Sequence, residues 1–187
     1  MTERLEKFKE NFKNHEITVI CEHKEVQRFQ FRNPLDGNYG FNITCADNLI
    51  ALTGDIYELM ITQGYSRSGL AFLLSHVTRD PWYYFLSKVS NRDSLSEYSY
   101  KKAIENLESN FDDGYFDDND EIKTKDDFKN LHMMDEGEYW GEHAYYSFCN
   151  EHDICEPLSP KVLTATTVLQ IAGLQCFVEA YEKLKKG

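Results

Sequence analysis

Hydrophobic positions in the first third of the chain repeat with two different periods. Leu5, Phe8 and Phe12 recur at i, i+3 and i+7, which predicts a short amphipathic helix over residues 3–13. From there the period drops to two. ITVIC (17–21) is rich in β-branched residues and predicts a strand. In VQRFQF (26–31) Phe29 and Phe31 point one way while Arg28, Gln30 and the following Arg32 point the other. FNITC (41–45) opposes Phe41, Ile43 and Cys45 to Asn42 and Thr44. The intervening NPLDGNYG supplies the Pro, Asp-Gly and Asn of a turn. LIALT (49–53) is an apolar run that ends at Gly54. Strands with one apolar face and short turns predict an antiparallel meander of three or four strands, its apolar face covered by helices.

The remainder reads as helical. DIYELMITQ (55–63) carries Asp55 in a first turn, where the helix dipole favours a negative charge. GLAFLLSHV (69–77) is strongly apolar, and DPWYYFLSKV (80–89) offers Asp80 as N-cap with Pro81 at the first helical position. Ser94 and Glu97 have the spacing of a capping box before a helix over 94–110. KTKDDFKNLHMM and EGEYWGEHAYYSFCNEH predict two more helices. Pro157 and Pro160 precede a long final one, 160–185, apolar nearly all round and therefore buried. The reading is an α+β fold in one domain, 1–187. Residues 1–54 are mainly strands after a short helix. Residues 55–187 are mainly helical, with about six helices.

Charge narrows the function classes. The formal net charge of −12 opposes general nucleic-acid binding, which needs an excess of Lys and Arg against phosphates, and docking on an anionic membrane. It favours basic partners. The five cysteines are scattered and the charged start MTERLEKFKENFK lacks an apolar signal core, so a reduced, cytoplasmic chain is expected. The apolar run at 162–181 carries Gln170, Gln175 and Glu179, too polar for a membrane span.

The charge is concentrated. Between Ala103 and Ile122 there are eight acidic residues and no basic one, with the densest part in SNFDDGYFDDNDE, 109–121. A calcium loop of the EF-hand type needs oxygen ligands at positions 1, 3 and 5. Starting at Asp113 the third position is Tyr115, and starting at Asp118 the fifth is Ile122, so neither register works. Two readings remain: a solvated acidic loop, or a surface for a basic partner. In the second, Asp112, Asp113, Asp117, Asp118, Asp120 and Glu121 supply charge, and Phe111, Tyr115 and Phe116 supply apolar anchors.

Other constellations are weaker. Cys149-x-x-His152-x-x-Cys155, with His143 nearby, offers zinc-ligand chemistry, but a fourth ligand has no spacing support, and no metal or other cofactor is expected. Arg28 and Arg32 on the polar face of the sheet form a candidate anion patch, set against the ordinary polarity of a solvent-facing sheet. The glycines approach neither phosphate-loop pattern, Ser66, Ser68 and Ser75 with His76 make no nucleophile elbow, and no H-E-x-x-H occurs. No catalytic residue is assigned.

The run FQFRNPLDGNYGFNITCADNLIALTGDIYELMI, then FLLSH, then PWYYFLSKV, resembles a family of small, largely uncharacterised proteins encoded by bacteriophages. The matching residues are Phe41, Ile43, Thr44, Thr53, Gly54, Asp55, Trp82, Tyr83, Phe85 and Lys88, spread over about half the chain. Ile56 and Tyr57 stand where the family has Met-Gly. The resemblance implies a phage accessory protein and no particular reaction. With the charge pattern it leads to one expectation: a non-enzymatic protein, in the host cytoplasm, that binds and inhibits a basic host protein. Its concrete form is an anti-CRISPR or other anti-defence inhibitor whose acidic surface imitates nucleic acid before a nucleic-acid-binding effector. The alternatives are a sponge for a nucleotide signal and an enzyme on nucleotides or nucleic acid without a recognisable motif.

Overall fold

The computed structural model describes residues 2–62, 68–78, 83–90, 92–116, 122–131, 141–154 and 156–186. The fold is α+β, with an antiparallel sheet near the N-terminus and a long helix at the C-terminus. The chain divides into two compact units, residues 1–95 with 164–187, and residues 96–163. In sequence, 96–163 lies between Leu95 and Thr164, residues that belong to the first unit.

In the first unit, helix α1 (Thr2–Lys9) runs into a 3-10 turn (Glu10–Phe12) and then into a five-stranded antiparallel sheet. Its strands are β1 (Glu16–Glu22), β2 (Val26–Arg32), β3 (Phe41–Ala46), β4 (Leu49–Gly54) and β5 (Leu59–Thr62), in sequence order. The period of two survives intact: Phe29, Phe31, Phe41, Ile43, Cys45, Ile50 and Leu52 are all buried on one face. Gln30, Asn42 and Thr44 on the other face are half-buried and Arg28, Arg32 and Thr53 exposed. Strand β1 carries a bulge between Val19 and Cys21.

The fifth strand corrects the helix expected over 55–63. Gly54 adopts φ +130° and Tyr57 φ +68°, conformations no α-helix contains. A Cβ at Gly54 would stand 2.6 Å from the carbonyl oxygen of Gly40, so only glycine fits there. Asp55 caps no helix; its Oδ2 accepts from the Gly40 amide at 3.0 Å and its own amide donates to the Gly40 carbonyl at 2.9 Å. The chain then turns back, and Leu59 and Ile61 alternate inward opposite Leu52 and Ile50. A period-two signal only four residues long, LMIT, was overridden in the sequence by the helical residues around it.

Helices α2 (Gly69–His76) and α3 (Tyr83–Leu86) follow, the second much shorter than the expected 80–89, whose first three residues lie outside those described. The final helix α7 (Ala165–Lys186) packs on the sheet through Phe177 and Tyr181, with ring centroids 5.4 Å and 5.5 Å from Phe29. Its buried polar groups are satisfied: Gln170 donates to the Glu58 carbonyl at 3.3 Å and Gln175 to that of Val77 at 3.0 Å. Among the described residues no helix is long and apolar enough to cross a membrane.

The second unit has its own core. A two-stranded ribbon of β6 (Ser96–Tyr98) and β7 (Lys161–Leu163) closes its ends. Between them lie α4 (Tyr100–Asp112), α5 (Lys125–Leu131) and α6 (Glu142–Glu151). Ala103, Leu107, Phe116, Phe128, Tyr145, Phe148 and Cys149 fill the interior. The capping box expected from Ser94 and Glu97 does not form, because Glu97 pairs with Val162 in the ribbon. Ser99 caps α4 instead, accepting from the Lys102 amide at 3.3 Å. The ribbon also moves the start of the last helix from 160 to Ala165, where Thr164 accepts from the Thr167 amide at 3.1 Å.

Candidate functional site

Helix α4 delivers the acidic segment. Its apolar face, Ala103, Ile104 and Leu107, enters the core, and its last turn carries Asp112 and Asp113 outward. Gly114 then takes φ +82°, its amide donating to the Phe111 carbonyl at 3.1 Å while the Tyr115 amide donates to that of Asn110 at 3.2 Å. This pair of bonds is a Schellman cap, the ordinary way to end a helix at glycine. The middle of SNFDDGYFDDNDE is therefore built structure.

The cap separates the aromatics. Phe116 is 3% exposed and packs on Phe128 and Phe148, with ring centroids at 5.1 Å and 6.2 Å. Phe111 sits half-buried against the same rings, 6.5 Å from Phe116 and 6.1 Å from Phe128. Reading Phe116 as a partner anchor is thus corrected: it holds the returning chain to the core. Tyr115, 53% exposed, is the aromatic left facing outward. Asp117, Asp118, Asp120 and Glu121 lie outside the described residues.

Lysines of the same unit answer some of the charge. Lys125 pairs with Asp112, thirteen residues away, and Lys161 with Glu142 at 2.9 Å. Lys101 and Lys102 both lie near Glu105, at 3.9 Å and 3.6 Å. Asp127 is a capping residue: its Oδ2 accepts from the amides of Thr124 and Lys123 at 2.6 Å and 2.9 Å. Those backbone donors hold its carboxyl below the usual aspartate range.

The two units differ sharply in charge. Residues 96–163 contain 18 Asp and Glu against 6 Lys and Arg, whereas the rest of the chain contains 14 of each. The entire net charge of −12 belongs to the inserted unit. The acidic cluster is local in the sequence, whereas this partition is not, because the boundaries at 95/96 and 163/164 are set by the pairing of Ser96–Tyr98 with Lys161–Leu163, far apart in the chain.

The two arginines of the candidate anion patch both stand exposed on the polar face of the sheet. Arg28 and Arg32 share a face of β2 but flank Gln30, roughly 13 Å apart along the strand. Arg32 lies over the 37–40 turn, its Nε 2.7 Å from where a Cβ on Gly40 would stand.

Among the described residues the thiols meet no metal geometry. Cys149 is buried, His152 lies against Phe148 with a 4.3 Å centroid separation, and Cys155 is outside the described residues. Among the described residues no group of three or more His, Cys, Asp or Glu is placed to hold a metal ion. Burial pushes the Cys45 thiol up to about 12 and that of Cys176 to about 11, the opposite of the lowered value a nucleophilic cysteine needs.

Compared with protein-family models, with curated proteins and with solved structures, the chain matches none.

Proposed function

We propose that this chain is an interaction protein whose acidic unit, residues 96–163, engages a basic protein surface. In its concrete form it is a phage-encoded inhibitor of a host nucleic-acid-binding defence factor, acting as a nucleic-acid mimic. The observation that carries the reading is the charge partition: −12 on 68 residues and zero on the remainder. A field of one sign on a small unit steers encounter with an opposite surface, by a factor of about 10 to 10³ at low salt. The placement of the charge supports the same reading. Asp113 follows α4 at its negative end with no basic residue in the helix's last turn, while Asp112 beside it is met by Lys125. That arrangement opposes the helix dipole. A merely solvating loop needs no such placement.

The test uses the full chain and a variant with Asp112, Asp113, Asp117, Asp118 and Asp120 changed to Asn. A binder captured from bacterial lysate by the wild type is identified by mass spectrometry, purified, and loaded with labelled DNA. The wild type should displace the DNA, with an affinity that falls as salt rises. The variant, shown folded by circular dichroism, should be at least about tenfold weaker and less sensitive to salt. Equal displacement by the two proteins rules the reading out.

A further inference from the structure

The neutral first unit carries a groove between a strand edge and a helix. Strand β1 has β2 on one side and lies at the end of the sheet order, leaving its outer edge unpaired among the described residues. Alongside it, a groove of about 550 Å³ is walled by Ile17 on the strand and by Cys176, Glu179, Ala180, Lys183 and Leu184 on α7. Those helix positions recur at i, i+3, i+4, i+7 and i+8, one continuous stripe. Phe12, His15 and Phe31 form its floor, all three at most 8% exposed.

Three features give this groove a shape-specific occupant. First, edge backbone groups are a template for another strand. Second, Ile17 pairs with Phe31 and Val19 with Phe29, so both point to the same face of the sheet. Val19 is nonetheless 42% exposed and Leu184 51%, an apolar strip that nothing in the described unit covers. Third, the rim is of mixed charge. Glu179 and Lys183 stand on the helix wall, and neither takes part in an ion pair among the described residues. A strand laid against Glu16–Val19 alternates its side chains, sending every second one over Ile17 and Val19. The bulge after Val19 ends the regular edge there.

We infer that the groove between β1 and α7 binds an extended peptide segment of a partner protein by strand addition. Two apolar residues at alternate positions lie over Ile17 and Val19, and flanking residues of opposite sign meet Glu179 and Lys183. This is the recognition mode in which backbone hydrogen bonds give affinity and side-chain pockets give selectivity. It concerns a different unit from the acidic surface and stands whether or not that surface mimics nucleic acid.

The probe is a display library of random nine-residue peptides selected on the immobilised full-length protein. The expected result is an enriched motif with apolar residues at i and i+2 next to charges of both signs. A fluorescent synthetic copy should lose binding at least about tenfold when alternate amides are N-methylated, since those hydrogen bonds are then removed. Ala180→Trp, which fills the groove from the half-buried helix wall, and Leu184→Asp should each cause a similar loss with the circular dichroism spectrum unchanged. Failure to enrich any motif, or binding indifferent to N-methylation and to Ala180→Trp, overturns the proposal. A dimer in sedimentation velocity that Ala180→Trp dissociates would give the groove to a second copy of the chain and overturn it equally.

Discussion

Asn106 donates its side-chain amide to the carbonyl of Leu158 at 3.1 Å, across fifty-two residues of sequence. A second bond reaches the Ser159 carbonyl at 3.2 Å, and Tyr145 donates to the same Leu158 oxygen at 2.9 Å. The irregular segment before β7 is thus held by two side chains from α4 and α6. Asn106 is 1% exposed, so its loss leaves a buried void and unpaired groups. Asn106→Ala should destabilise the protein by about 1–3 kcal/mol and Tyr145→Phe by about 1 kcal/mol, read from urea midpoints. Because both act on one carbonyl, the double variant should depart from additivity by at least about 0.5 kcal/mol. Additive, negligible effects would show that the segment is held by other contacts.

Gly173 lies inside α7, where helix propensity alone favours alanine by about 1 kcal/mol. Packing reverses that sign. A Cβ there would stand 3.0 Å from Phe12 Cζ and 3.1 Å from Phe41 Cε1. Phe31, Tyr39, Phe41 and His15 crowd the Phe12 ring with centroids at 5.1 to 6.5 Å, so it can yield only toward the groove beside β1 by breaking that aromatic packing. Overpacking of this kind costs about 1–3 kcal/mol, so Gly173→Ala should lower stability despite its better propensity. A raised midpoint on chemical denaturation would refute the steric argument.

Much of this architecture is visible in the sequence, and the exceptions share a cause. The period of two in Phe29, Phe31, Phe41, Ile43 and Cys45 foretold the sheet's buried face, since alternation is a local property. The apolar girth of the last helix foretold its burial for the same reason. What escaped depends on partners far away in the chain. LMIT becomes a strand because β4 offers an edge, and Glu97 joins a ribbon because Val162 comes alongside. In the acidic segment, the excess of carboxylates was legible, but its assignment to one unit was not. Phe116 looked like an anchor for others because its neighbours are charged, yet Phe128 and Phe148, twelve and thirty-two residues on, claim it for the core. The groove beside β1 joins Ile17 to Leu184, a juxtaposition no local pattern encodes.

His15 should make stability depend on pH. It is 8% exposed, edge-on to Phe12 and close to Phe31, and neither ring nitrogen has a hydrogen-bond partner among the described residues. Burial lowers its pKa below the ordinary 6.5; the backbone carbonyls of Tyr39 and Asn38, near without proper bonding geometry, and the charge of Asp36 draw it part of the way back. The folded pKa is thus below the unfolded one, and the unfolded chain binds the proton first. Stability from this group is fully present above pH 6.5 and is lost as pH falls through the folded pKa, with a slope no steeper than about 1.4 kcal/mol per pH unit. Urea midpoints at pH 7.5, 6.5 and 5.5 should fall in that order, and His15→Phe should flatten the difference. An unchanged slope in the variant would assign the titration to another group.

Asp113 and Gly114 are neighbours with opposite duties, and the contrast separates stability from binding. Asp113 places a negative charge at the C-terminal end of α4, so Asp113→Asn should stabilise the chain by about 0.3–1 kcal/mol. Gly114 holds φ +82° in the helix cap, and Gly114→Ala should destabilise it by about 1 kcal/mol. If the acidic unit engages a basic partner, association rates should move the other way. Asp113→Asn should slow association at low salt while raising the melting midpoint, because the removed charge contributed to steering. Gly114→Ala should leave the rate of the folded fraction unchanged, since the net charge is the same. Stopped-flow association at two salt concentrations, beside thermal melts of the same proteins, measures both quantities. Rates that simply follow stability in the two variants would mean that Asp113 serves no partner and that its position at the helix end needs another explanation.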